Sequence, residues 1–227
     1  MNIVIGLTGV KTSGKSTVAN IIKSVLTEDV KESALADKLK NTCSEVFDIP
    51  REYFDSQDLK ELDLPRSRVL DLNTIEQILT KFKVTPTNDL LYTYITSGVE
   101  GLSLESPRKI AQIVGTEVLR GAGDEEIHCK NVELNKNGIT IISDIRFPNE
   151  LNYFNNLPNT TFIPLYIQRD EAERKIDETS HASEKMVFTF SDKCIKLSNN
   201  GDLYSLKKQV GQILTEKGLN VQAAIFK

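Results

Sequence analysis

The segment Gly9-Val10-Lys11-Thr12-Ser13-Gly14-Lys15-Ser16 fits the spacing G-x-x-x-x-G-K-[ST]. That spacing suits the binding of a nucleotide's phosphates. Glycine at the first and sixth positions lets the backbone curl until several N–H groups, those of Lys11 and Ser13 among them, face one phosphate. A helix that begins near Lys15 adds the positive end of its dipole. Lys15 is then the residue to reach the β- and γ-phosphates of ATP, and the Ser16 hydroxyl the group to hold Mg²⁺. Thr17 offers the next hydroxyl, for the α-phosphate. A glycine-rich turn also arises by chance, so the flanks decide. Residues 2–8 (Asn-Ile-Val-Ile-Gly-Leu-Thr) form a short β-branched run suited to a buried parallel strand. Residues 17–26 place Val18, Ile21, Ile22 and Val25 on one helical face.

Charged residues that follow apolar runs are the next candidates. Residues 138–143 (Gly-Ile-Thr-Ile-Ile-Ser) read as a buried strand, and Asp144 and Arg146 come directly after it. An Asp in that position beside a phosphate loop holds Mg²⁺, directly or through water. The competing reading makes Asp144 the N-cap of a helix starting at Phe147-Pro148. Arg146 is suited to clamp an anionic substrate, or only to pair with Asp144 or Glu150. After the strand predicted at 161–168 come Arg169, Arg174 and Lys175. Phosphoryl transfer needs cations around the migrating group, so Arg169, with Arg174 behind it, reads as a lid that closes on ATP. Arg108 and Arg120 flank one helix, and either guanidinium fits a monophosphate bidentately. The two histidines, His128 and His181, are too few and too isolated for a metal site.

Composition removes other classes. The chain has 227 residues, 28 Lys+Arg against 32 Asp+Glu and a net charge of −4, so no basic surface of nucleic-acid type is expected. No apolar run reaches 18 residues and no signal-peptide pattern precedes the first strand, which predicts a cytoplasmic protein without a membrane partner. Cys43, Cys129 and Cys194 are scattered and odd in number, as expected of reduced thiols. Oligomeric state is not readable, although a homodimer is common at this size.

The positioning elements follow from periodicity. Further strands are expected at 30–35 and 194–197, and further helices at 36–47, 73–82 (capped by Asn73, with Glu76 completing a capping box), 87–96, 124–134 and 203–214. Ser106-Pro107 opens a helix through Ile110, Ile113, Val114 and Leu119 that ends near Arg120-Gly121. Strands alternating with helices imply an α/β fold: a mostly parallel five-stranded sheet with helices on both faces, ligands lying at the carboxyl ends of the strands. Residues 51–105 are polar and rich in turn signals. They read as a helical insertion on the substrate side, or as a structural helical hairpin. The expected core is then 1–50 and 106–227, with a lid near 169–185.

Five segments taken in order carry a resemblance: the glycine loop, Leu35-Ala36-Asp37-Lys38-Leu39-Lys40, Gln112-Ile113-Val114-Gly115-Thr116-Glu117, Asp144-Ile145-Arg146-Phe147-Pro148-Asn149-Glu150 and Ser180-His181-Ala182-Ser183-Glu184. Together they resemble the bacteriophage deoxynucleoside monophosphate kinases from about residue 3 to about 200, with 51–105 matching poorly. The resemblance implies a three-layer P-loop kinase fold and Mg-ATP-dependent conversion of deoxynucleoside monophosphates to diphosphates. It puts Lys11 and Lys15 in the phosphate loop and Ser16 on the metal. Asp37, Lys38 and Lys40 line the acceptor side, Arg108 and the Gln112–Glu117 stretch, with Gln112 and Thr116 in it, border the monophosphate or base, Arg146 meets the acceptor and Arg169 joins the lid. His128 stands where a relative typically carries Trp, so any stack on the acceptor base would be weaker. Two other readings of the loop are a P-loop kinase of a small hydroxyl metabolite and an ATP-binding regulatory protein without turnover.

Overall fold

A computed structural model describes residues 2–178, 180 and 182–222, without the side chains of Ala182 and Ser183; His181 therefore lies outside the described residues. The chain starts with β1 (Asn2–Thr8), α1 (Lys15–Val25) and β2 (Val30–Ser33). It continues through α2 (Asp37–Phe47), α3 (Glu52–Asp55), β3 (Arg68–Val69), α4 (Leu72–Lys81), α5 (Asn88–Thr96), β4 (Ser103–Leu104), α6 (Pro107–Ile113) and α7 (Ile127–Lys130). It ends with β5 (Ile139–Ile142), α8 (Pro148–Asn155), β6 (Thr160–Gln168), α9 (Asp170–Glu173), α10 (Ala182–Met186), β7 (Ile195–Ser198) and α11 (Leu203–Glu216). Two compact units result, residues 1–35 with 133–227, and residues 36–132.

The first unit is built on a five-stranded sheet of order β2-β5-β1-β6-β7. Every strand pairing in it is parallel. The central β1 runs Ile3 beside Ile139 on one side and beside Thr161 on the other. Alternation sends Ile5, Leu7, Ile141, Ile163, Leu165 and Ile167 to one face, where they meet Val18, Ile22 and Val25 of α1 and Leu206, Val210 and Leu214 of α11. The other face carries α8, whose Phe154 ring lies 5.7 Å from the Phe162 ring of β6. Strands buried on both faces read as continuous apolar runs, which is why β1 and β5 were the clearest strands in the sequence. The expected three-layer α/β arrangement with a five-stranded parallel sheet is the one observed.

The second unit has its own core. Leu39, Cys43 and Phe47 of α2 pack with Ile75, Ile78 and Leu79 of α4, Tyr94 of α5 and Ile110 of α6. Helices expected to belong to the nucleotide-binding core thus share an interior with residues 51–105, and the unit is wider than the polarity of that stretch suggests. It also contains a two-residue antiparallel ladder, β3 with β4, where no strand was expected.

Three expected elements change. The cap of α4 is Asp71, whose Oδ1 accepts from Thr74 N at 2.8 Å, and not Asn73. The helix opened by Ser106 and Pro107 does not run on as an α-helix: Val114–Leu119 is a π-helix followed by a 3₁₀ turn at Arg120–Ala122. The buried Tyr94 hydroxyl donates to Val118 O at 2.6 Å and so satisfies a carbonyl in the wide turn. Burial pushes the Tyr94 hydroxyl pKa up to about 12. The helix expected over 124–134 shrinks to α7, because the Asp124 carboxylate accepts from Glu126 N and holds a turn there. Cys43, Cys129 and Cys194 are all buried and form no disulfide among the described residues. Among the described residues no helix is long and apolar enough to cross a membrane.

Candidate functional site

The glycine loop joins β1 to α1 at the carboxyl end of the sheet. Gly9 has φ +147°, and a Cβ there would come within 2.7 Å of the Ile167 carbonyl oxygen of β6. Gly14 has φ +103° and caps α1, and a Cβ on it would run into the Asn199 side chain. Between them Thr12 also adopts positive φ, 64°. A path with three such residues turns backbone N–H groups inward, which is the form an anion-binding nest needs. Neighbouring strand ends brace it. Asn199, just beyond β7, donates from Nδ2 to Ser13 O at 2.8 Å, and Arg169, just beyond β6, reaches Thr12 O at 3.4 Å.

Lys15 lies folded across the loop. Its Nζ donates to Gly9 O at 2.7 Å and to Val10 O at 2.8 Å. Burial brings its pKa down to about 8, with the Arg146 charge adding to the fall and Glu184 and Asp144 opposing it. The three charges that act on this ammonium group come from the segment between β5 and α8 (Asp144 and Arg146) and from α10 (Glu184). The buried Ser13 Oγ and Thr8 Oγ1 have no hydrogen-bond partner among the described residues. Buried hydroxyls are ordinarily paired, so two of them at one loop mark a place fitted to take further polar groups.

Asp144 follows β5 directly. Its Oδ1 accepts from Leu35 N at 2.7 Å, tying the end of β5 to the segment after β2. The next turn is tied to β1 by Ile145 N donating to Leu7 O at 3.2 Å. The capping alternative for Asp144 fails, because α8 is capped at Phe147. The buried Glu150 carboxylate supplies the capping bonds instead: its Oε2 accepts from Arg146 N at 2.8 Å and Phe147 N at 3.1 Å. Arg146 itself is exposed. Mg²⁺ needs only one or two protein oxygens and takes water and phosphate for the rest. The Ser16 hydroxyl, exposed in the first turn of α1, and the Asp144 carboxylate supply oxygens of that kind. No cluster of three or more His, Cys, Asp or Glu among the described residues offers a metal cage independent of a phosphate ligand.

Just beyond β6, Arg169 pairs with Glu171 at 3.3 Å as well as touching the loop. Arg174, at the end of α9, is exposed and makes no loop contact of this kind among the described residues. Thr17 is exposed in the first turn of α1.

The acceptor-side candidates all lie in the second unit except Arg146. Asp37 pairs with Arg51 at 3.0 Å and Lys40 with Asp55 at 2.9 Å. Lys38 donates to Asn131 Oδ1 at 2.7 Å and stands 5.0 Å from the centre of the Phe82 ring. Arg108 pairs with Glu61 at 2.5 Å. Gln112 is exposed on α6 and Thr116 exposed in the π-helix, with Arg120 half-buried at its end. His128 is buried, its Nε2 lying 3.2 Å from Gly115 O and its ring edge-on to Phe82. A protonated Nε2 donates to that carbonyl, and burial lowers the pKa of the ring. Its role in the fold is to hold the glycine of the Gln-x-x-Gly-Thr segment.

Sequence reasoning missed Asn199 and the capping role of Glu150. Asn199 carried the same signal as Arg169, a polar residue right after a strand. Glu150 carried another, an acid three residues beyond a helix start with Pro at its first position.

No protein-family model matches the chain, and neither does any curated protein. The class rests on the molecule itself: a three-layer α/β architecture of P-loop type, with the glycine loop, a strand-end Asp and two strand-end Arg residues in one unit.

Proposed function

We propose that this protein transfers the γ-phosphoryl group of Mg-ATP to a deoxynucleoside 5′-monophosphate, giving the diphosphate and ADP. The observation that carries the reading is the setting of Lys15: an ammonium group held at the carboxyl end of a parallel sheet by loop carbonyls, within electrostatic reach of Asp144 and Arg146. Phosphoryl transfer is mostly positioning and charge stabilisation, and this constellation supplies both.

In this reading the loop N–H groups take the donor phosphates and Lys15 exchanges its carbonyl partners for phosphate oxygens. Ser16 and Asp144 would hold Mg²⁺, which when bound neutralises charge on the donor phosphates. Arg146 orients the acceptor phosphate, and Arg169 closes from the end of β6 to exclude water. A phosphate acceptor is already ionised, so no general base is required of Asp37 or Asp144. Asp37 and Lys40 are engaged with Arg51 and Asp55, which fits a supporting role for them on the acceptor side. A reaction fed by Mg-ATP and nucleotides belongs in the cytoplasm, the host's if the chain is viral.

The test is ADP release with Mg-ATP and a panel of dAMP, dGMP, dCMP, dTMP, the matching ribonucleotides and the free nucleosides. Acceptor-dependent ADP with one or more deoxynucleoside monophosphates is the expected outcome. ATP binding without any acceptor-dependent turnover would leave a regulatory protein instead, and turnover with a nucleoside or sugar a hydroxyl kinase. Arg146→Ala is expected to raise the KM for the acceptor about tenfold and that for ATP much less. Equal effects on both constants would move Arg146 to the donor side.

A further inference from the structure

The phosphate loop already holds an anion supplied by the protein. Glu184, on α10, lies 173 residues beyond Lys11 in sequence, and its Oε2 accepts from Lys11 N at 2.5 Å. The donor is a backbone N–H of the nest and not a lysine ammonium, so this is not an ordinary surface ion pair. The nest is the part of the loop whose N–H groups are placed for phosphate oxygens. The same carboxylate is close enough to Lys15 to oppose the effects of burial and of Arg146 on that ammonium. A carboxylate that accepts from the loop and balances its lysine occupies the chemical place of one phosphate group.

We infer that Glu184 is an internal phosphate mimic, a displaceable anion that keeps the empty loop in shape and competes with the polyphosphate of a nucleotide for it. This rests on the reading of the loop as a phosphate site. The competition has a defined consequence. When only a fraction of molecules have the loop free of Glu184, the apparent dissociation constant exceeds the intrinsic one by the inverse of that fraction. A charge-assisted hydrogen bond from a backbone N–H is worth enough to keep that fraction near one tenth. The released carboxylate also leaves Lys15 and Arg146 to the ligand, so displacement couples α10 to occupancy of the loop.

The experiment is isothermal titration of the full chain with inorganic pyrophosphate and with ADP, both without Mg²⁺, for the wild type, Glu184→Gln, Glu184→Asp and Lys15→Met. Gln is isosteric and neutral, and is expected to tighten both ligands roughly tenfold. Asp keeps the charge but draws it back by one methylene, and is expected to give a smaller gain in the same direction. Lys15→Met, which removes the loop's ammonium, is expected to abolish both, locating the titrated site in the loop. Unchanged or weaker binding by both Glu184 variants, with normal binding by the wild type, overturns the inference and leaves the phosphate loop standing. Absence of binding in every protein, each shown folded by circular dichroism, removes the phosphate reading and the inference with it.

Discussion

Lys15→Met is expected to lower acceptor-dependent ADP release about a thousandfold while the far-UV circular dichroism and the cooperativity of unfolding stay those of the wild type. The size follows from where the ammonium sits. It is held by Gly9 O and Val10 O in a half-buried site, and a charge preorganised against a developing anion there counts for more than one in water. Met keeps most of the stem and removes only the cation. The same residue leaves a signature in stability that does not depend on catalysis. The Lys15 pKa is about 8 in the fold against 10.5 in a model peptide. Between those values the unfolded chain binds the proton and the folded chain does not, so stability rises with pH across that window. After discounting for partial exposure, the rise is on the order of 2 kcal/mol from pH 8 to 10.5 and is absent from the Met variant. Urea unfolding of both proteins at pH 7.5, 9 and 10.5 measures it. Parallel curves would show that the ammonium is well solvated, and near-normal turnover by the folded variant would remove the kinase assignment.

Glu150→Ala is expected to cost about 3 kcal/mol of stability and to reduce turnover by one to two orders of magnitude. Glu150 is 4% exposed, and its carboxylate takes two backbone N–H groups of the turn that carries Arg146. Alanine leaves both donors at the start of α8 without that acceptor and removes a negative charge from the positive end of a helix. The turn between Asp144 and Phe147 then loses the bonds that fix it. Glu150→Gln keeps an acceptor oxygen, and is expected to recover about half of the stability loss. Denaturant titration beside steady-state kinetics separates the two effects. A variant within 0.5 kcal/mol of wild type would show that the turn is held by β1 and Leu35 alone.

Much of the first unit could be read from the chain because its signals are local. The glycine loop, β1 and α1 are contiguous, and β5 announces itself by four buried residues in a row. Asp144 and Arg146 were found by the same logic, since a polar residue directly after a buried strand lies at the ligand edge of a parallel sheet. What stayed hidden depends on residues far apart. The π-helix over Val114–Leu119 keeps apolar spacing that a plain α-helix would also satisfy, and a feature outside its own sequence, the Tyr94 hydroxyl on Val118 O, accompanies the wide turn. Glu184 sits in a segment noticed only for its resemblance, and nothing near it in sequence announces Lys11. Asp71 and Asn73 are both good caps, and Asp71 Oδ1 is the one found on Thr74 N. The two-residue strands β3 and β4 are too short to carry a period.

The order of strands has a consequence for how the chain is made. β1 precedes the other strands of its sheet in sequence and is the middle strand of the finished sheet, and its two partners begin only at residues 139 and 160. Until then a run of Ile-Val-Ile has both edges unpaired. The unit of residues 36–132 is contiguous and complete in between, so its contacts are short in sequence and quick to form. During translation the helical unit therefore has its whole sequence before the sheet can close, and β1 must wait through about 130 residues, at a ribosome's pace roughly 7 to 26 seconds, for the strands that cover it. The part of the molecule with the clearest chemistry is the part whose hydrophobic centre stands open longest to other chains.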